Sequence, residues 1–94
     1  MGKQKLYLIP GFLTDKTIYK SFIEDERFNV EVLEFIPSLS KDESIQSYVE
    51  RLSDGIDKTK PFSLLGTSFG GILSIELANI CSPENLILVS SVKN

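Results

Sequence analysis

Apolar residues along the chain fall into short runs separated by Gly, Pro, Ser and Asp, and the runs alternate between strand-like and helix-like spacing. Lys5 to Ile9 is a short apolar run closed by the turn dipeptide Pro10-Gly11, which predicts a strand. Thr14 or Asp15 can cap a helix carrying Ile18, Phe22 and Ile23, with Tyr19 beside them. Phe28 to Ile36 predicts a second strand, with Val30, Val32, Leu33 and Phe35 interleaved with Glu31 and Glu34. Two carboxylates in such a run place it at a partly solvated sheet edge, and Pro37 ends it.

Ser40-Lys41-Asp42-Glu43 fits a capping box, the serine closing one helix end and Glu43 reaching back. The helix it opens puts Ile45, Val49, Leu52 and Ile56 on one face and Gln46, Glu50, Arg51 and Asp54 on the wet side. Lys58 to Pro61 is a linker. Phe62 to Leu65 is apolar nearly throughout and predicts a strand buried on both faces. A third helix is expected from about Phe69 to Ile80. Ile72, Leu73, Ile75, Leu77, Ala78 and Ile80 leave only Ser74, Glu76 and Asn79 polar, so this helix should be mostly buried. Ser82 to Asn85 is a turn, and Leu86 to Ser90 a fourth strand. Strands alternating with helices at this spacing mean right-handed βαβ units and a parallel sheet. The class is α/β, with four strands and three crossover helices in one domain spanning residues 1–94.

Composition narrows the chemistry. The chain is 41% hydrophobic and 24% charged, an ordinary globular balance that argues against wholesale disorder. Ten basic and thirteen acidic residues give a net charge of -3, which argues against nucleic acid as a partner, since that grip needs clustered Lys and Arg. Cys81 is the only cysteine, so no intrachain disulfide can form and a cytoplasmic setting is expected. Between Ile80 and Ser82 it reads as a buried structural thiol at a helix end. Leu6 to Ile9 is too short for the apolar region of a signal peptide, and no run approaches the roughly 20 residues of a membrane span. No membrane partner is expected. There is no histidine, so an imidazole base or ligand cannot come from this chain. With imidazole absent and the carboxylates dispersed, neither a metal nor a cofactor is expected.

Between the third strand and the third helix stands Gly66-Thr67-Ser68-Phe69-Gly70-Gly71, a G-x-S-x-G nucleophile elbow in its required setting. A serine at the tip of a sharp strand-to-helix turn holds its hydroxyl clear of the sheet. Residues two before and two after then come too close to carry side chains, which calls for Gly66 and Gly70, while Gly71 lets the helix approach the neighbouring strands. The helix N-terminus behind Ser68 supplies free N–H groups and a positive dipole. Two weaker readings stay open. The serine could merely cap the helix, or the turn could cradle a phosphate. The latter lacks the Lys of a P-loop, and Ser68 occupies the second glycine position of a dinucleotide fingerprint.

With this elbow the chain resembles the N-terminal half of an α/β-hydrolase. Leu8-Ile9-Pro10-Gly11-Phe12 is similar to the family's "HG-x" oxyanion segment, with Pro10 where the family usually has His. The resemblance spans essentially the whole chain and implies a strand order of second, first, third, fourth. It implies Ser68 as the nucleophile of ester or thioester hydrolysis, through an acyl-enzyme. It also implies that Phe12 and Phe69 donate backbone N–H groups to an oxyanion hole, with Gly11 in the oxyanion loop. The Phe12, Phe69 and Leu13 side chains would form an apolar lip for a small-molecule acyl substrate. The family's triad continues with Asp or Glu and then His, but Ser90 to Asn94 hold no acid and the chain no histidine. Lys16, Lys20 and Lys41 read as surface lysines and Asp15 as a cap. The expectation is the front part of a longer hydrolase, inactive alone. The alternative is a non-catalytic binding or interaction module on a degenerate hydrolase scaffold. In a full hydrolase Leu86 to Val89 would be central; if these 94 residues are a complete product, residues 86–90 would form a bare apolar edge, which invites self-association.

Overall fold

Four strands form one parallel sheet in a computed structural model that describes residues 3–10, 20, 23–33, 39–67 and 69–89. They are β1 (Gln4–Ile9), β2 (Phe28–Val32), β3 (Phe62–Thr67) and β4 (Asn85–Val89), in the order β2-β1-β3-β4. Every neighbouring pair is parallel. Two helices are described, α1 (Ile45–Leu52) and α2 (Phe69–Cys81). The class is therefore α/β, with the strand order that the resemblance implied. The helix expected from Thr14 or Asp15 lies outside the described residues except for Lys20 and Ile23.

Position in the sheet follows from the polarity of each run. β3 is buried at all six positions and β1 from Leu6 to Ile9, because runs without polar alternation can be accommodated only where both faces are covered. β2 alternates half-buried and exposed residues, with Asn29 and Glu31 outward, and sits at an edge. Glu31 there accepts a bond from Lys5 Nζ at 2.8 Å. β2 ends at Val32, four residues short of the expected Ile36. Leu33 still donates its N–H to Leu8 O at 2.9 Å, and residues 34–38 lie outside the described residues.

One face of the sheet packs Tyr7, Ile9 and Leu64 against Val49 and Leu52 of α1, Ile56, and Leu73 and Leu77 of α2. The other face gathers Leu6, Leu8 and Leu65, with Val30, Val32, Ile87 and Val89 around them. Tyr7 adds an edge-on contact with Phe62 and accepts a bond from Asp57 N–H at 2.9 Å, so its polar tip is satisfied within the core.

Two expectations are corrected. The cap of α1 is Ser44, not Ser40: Ser44 has extended backbone and its hydroxyl accepts from Ser47 N–H at 3.0 Å. Ser40 closes the preceding turn, its carbonyl accepting from Glu43 N–H. Glu43 does reach back, but to Leu39 N–H. The later start leaves Ile45 exposed at the first turn, so the buried face comprises Val49 and Leu52, joined by Ile56 beyond a 3-10 turn at Ser53–Gly55. The second correction concerns α2. Gly70, Leu73, Ser74 and Leu77 are buried, but Ile72, Ile75 and Ile80 are exposed, because an apolar surface on every side of a helix does not create a partner for every side.

Cys81 ends α2 half-buried, and burial pushes its thiol above the usual range, as suits a structural residue. Among the described residues no helix is long and apolar enough to cross a membrane.

Candidate functional site

The carboxyl ends of β1 and β3 lie side by side, with Ile9 in register with Gly66. β3 ends at Thr67 and α2 begins at Phe69, so one residue, Ser68, separates strand from helix. Ser68 itself, with Gly11, Phe12 and Leu13, lies outside the described residues. The frame around position 68 is described, and it is tight.

A Cβ on Gly66 would fall on the Ser74 hydroxyl, 2.5 Å from Gly70 O and 2.8 Å from Gly71 Cα. A Cβ on Gly70 would fall on Ile9 O, 2.6 Å from Pro10 O and 2.8 Å from the Ile9 carbonyl carbon. Most of these neighbours are backbone atoms, which cannot swing aside as a side chain can. Both positions therefore require glycine for want of space, although neither has a left-handed backbone. Gly71 differs. A Cβ there would make only ordinary contact, 3.7 Å from Leu88 Cδ2, so the close approach expected of it is not present. A Cβ at Gly71 would point toward Leu88 of β4 and only skirt the Gly66 carbonyl, 3.8 Å from its oxygen.

The identity of the atoms around Gly70 matters. Ile9 ends β1, and Pro10 leads directly into Gly11 and Phe12. The first turn of α2 is thus pressed against the stem of the candidate oxyanion segment. The two sequence motifs are brought together at one end of the sheet, the end where open α/β sheets bind their ligands. Phe69 lies half-buried in that first turn, where N–H groups have no helical acceptor and the helix dipole is positive.

Sequence reasoning missed Ser74. Its fully buried hydroxyl donates to Gly71 O at 2.8 Å and fills the space over Gly66. Its signal was a polar residue on the face shared with Gly70, Leu73 and Leu77, where only a small side chain bonded to its own helix fits.

Three carboxylates have lowered pKa values, and each is tied to a local partner. Arg27 holds Asp25 at about 2 through side-chain bonds, and Arg51 does the same for Glu43. Thr59 lowers Asp57 through its hydroxyl and N–H. A general acid or base near neutrality needs its carboxyl raised, so these three serve structure. No group of three potential metal ligands occurs among the described residues.

A groove of about 670 Å³ opens at the amino ends of the strands, lined by Lys5, Tyr7, Glu31, Asp57, Lys60 and Glu84. It lies at the opposite end of β1 from Ile9, and its charges alternate in sign. It is separate from the elbow. No protein-family model, curated protein or solved structure matches this chain.

Proposed function

We propose that this chain belongs to a serine hydrolase of the α/β-hydrolase family, cleaving an ester or thioester through an acyl-enzyme on Ser68. The observation that carries the reading is the pair of glycines flanking Ser68, each with backbone atoms where a Cβ would stand. A serine that simply capped a helix would need no such space two residues before and after it. Hydrolysis does need it, because the nucleophile must stand at the tip of a turn too sharp for flanking side chains.

In this reading Phe69 N–H, at the start of α2, is one oxyanion donor. Phe12, two residues beyond Pro10, supplies the other. Loss of one such donor costs about 10²–10³ in kcat in enzymes of this kind. Phe12, Phe69 and Leu13 offer apolar surface to a small-molecule acyl group. No cofactor takes part. The chain has no histidine, so a triad imidazole that takes the Ser68 proton would come from outside these 94 residues. A single, half-buried cysteine suits a reducing cytoplasm.

The same lack of histidine favours a second reading, a non-catalytic binding module on this scaffold. One experiment separates them. The polypeptide is isolated from the cells that make it and treated with a fluorophosphonate, and the peptide containing Ser68 is examined by mass spectrometry. The hydrolase reading expects an adduct on Ser68 that Ser68→Ala abolishes. A folded polypeptide that takes up no probe supports the binding module instead.

A further inference from the structure

The atoms nearest the space over Gly66 all belong to α2: Gly70 O, Gly71 Cα and the Ser74 hydroxyl. The first two are backbone. Ser74 supplies the one side chain, and its oxygen is held there, because it is fully buried and donates to Gly71 O at 2.8 Å. α2 is thus keyed to both strands that lead into the site. Gly70 meets the Ile9 and Pro10 carbonyls at the end of β1, and Ser74 meets Gly66 near the end of β3. Stability alone does not call for serine at 74. Alanine is the stronger helix former and needs no hydrogen bond when buried. A hydroxyl bonded back to its own helix slightly destabilises and bends it. What serine adds over alanine is one oxygen, and that oxygen lies against the strand that enters the elbow.

We propose that Ser74 is a positioning residue for the reaction on Ser68. Its hydroxyl sets the spacing between Gly66 and the first turn of α2, and with it the place of the Phe69 N–H. The proposal rests on the hydrolase reading. Removing the oxygen leaves less room than a water molecule occupies, so the gap closes by a shift of α2 toward β3. Gly70, pressed on the Ile9 and Pro10 carbonyls, limits that shift to a fraction of an ångström. The Phe69 N–H moves with the helix. An oxyanion donor acts where charge develops, so its displacement slows the chemical step and leaves binding of the intact reagent as it was.

Fluorophosphonate labelling kinetics of the polypeptide isolated from the cells that make it test this. In that step Ser68 Oγ bonds to phosphorus, fluoride leaves and the hydroxyl proton goes to the base. A misplacement of about 1 Å can cost ~100-fold, so the smaller shift in Ser74→Ala should lower the maximal labelling rate roughly tenfold. The half-saturating probe concentration should stay unchanged, and the thermal midpoint should remain within about 4 °C of wild type. Leu77→Val, at a fully buried position further along the same face of α2, should label at the wild-type rate. A wild-type polypeptide that takes up no probe overturns the hydrolase reading and this proposal with it. A wild type that labels, with Ser74→Ala labelling as fast, overturns the proposal alone. So does slowing that comes with a collapse of the thermal midpoint or that Leu77→Val shares, because either result assigns Ser74 to the core and not to the elbow.

Discussion

α1 and α2 cover the same face of the sheet but are held in place by different means. The start of α1 is fixed by side chains. Ser44 caps it, and Glu43 accepts from Ser47 Oγ, from both Arg51 Nε and Nη2, and from Leu39 N–H, at 2.8 to 3.0 Å. The start of α2 is held by backbone contact, with Gly70 against the carbonyls of Ile9 and Pro10. A helix that only covers the core can close its own end with side chains. The first turn of α2 is positioned by close packing against the end of β1.

The contrast breaks most sharply at two adjacent glycines. Gly70→Ala forces a methyl group onto backbone oxygens and should cost about 3 kcal/mol or more of unfolding free energy. Gly71→Ala makes only ordinary contacts, with a leucine methyl at 3.7 Å and the Gly66 carbonyl oxygen and carbon at 3.8 and 3.9 Å, while removing glycine's backbone entropy cost within a helix. It should be neutral or stabilising by roughly 0.5–1 kcal/mol. Urea unfolding of both variants measures the difference. Equal losses would mean that α2 tolerates no change anywhere in its first turn, and the steric account of Gly70 would fail.

At α1 the decisive variable is pH. The Glu43 side chain is only 4% exposed and is gripped by Arg51, which lowers its pKa from 4.5 to about 2. A carboxylate with a depressed folded pKa contributes stability that is full above its unfolded value, here 4.5, and is lost as pH falls toward about 2. Wild type should therefore exceed Glu43→Gln in thermal midpoint most clearly above about pH 5, and the gap should close on acidification. Asp25, also at about 2 through Arg27, is present in both chains and drops out of the difference. A gap that stays constant with pH would assign Glu43 a role in packing alone.

How far these features were legible depended on whether their cause is local. The parallel sheet was legible because each strand is a run of its own, bounded by turn residues, and because Glu31 marks β2 as an edge. Gly66 and Gly70 were legible because the elbow's steric demand is written at fixed spacing within five residues. The cap of α1 was misplaced because Ser40 and Ser44 offer the same chemistry. What separates them is Arg51, eight residues beyond Glu43, a partner that appears only once the helix is built. Ile72 and Ile75 could not be recognised as exposed, because the sequence of α2 does not say which of its apolar faces meets the sheet. The room around Gly71 was hidden for a similar reason, since it depends on Leu88 from another element.

The smallest expected effect lies at the other end of α2. Ser82 follows the last helical residue with φ of 53°, and its N–H donates to Ala78 O at 3.2 Å, the left-handed termination that usually falls to glycine. A residue with a Cβ pays about 1 kcal/mol or more for that conformation, and Pro83 behind it disfavours the right-handed helical alternative. Ser82→Gly removes the strain but makes the unfolded chain more flexible, so the net gain should be about 0.5 kcal/mol, or roughly 2–4 °C in thermal midpoint. A gain would show that α2 is under-optimised at its C-terminus, where backbone geometry rather than capping chemistry ends it. A loss would mean that the Ser82 side chain closes the helix, as the Ser44 side chain closes the start of α1.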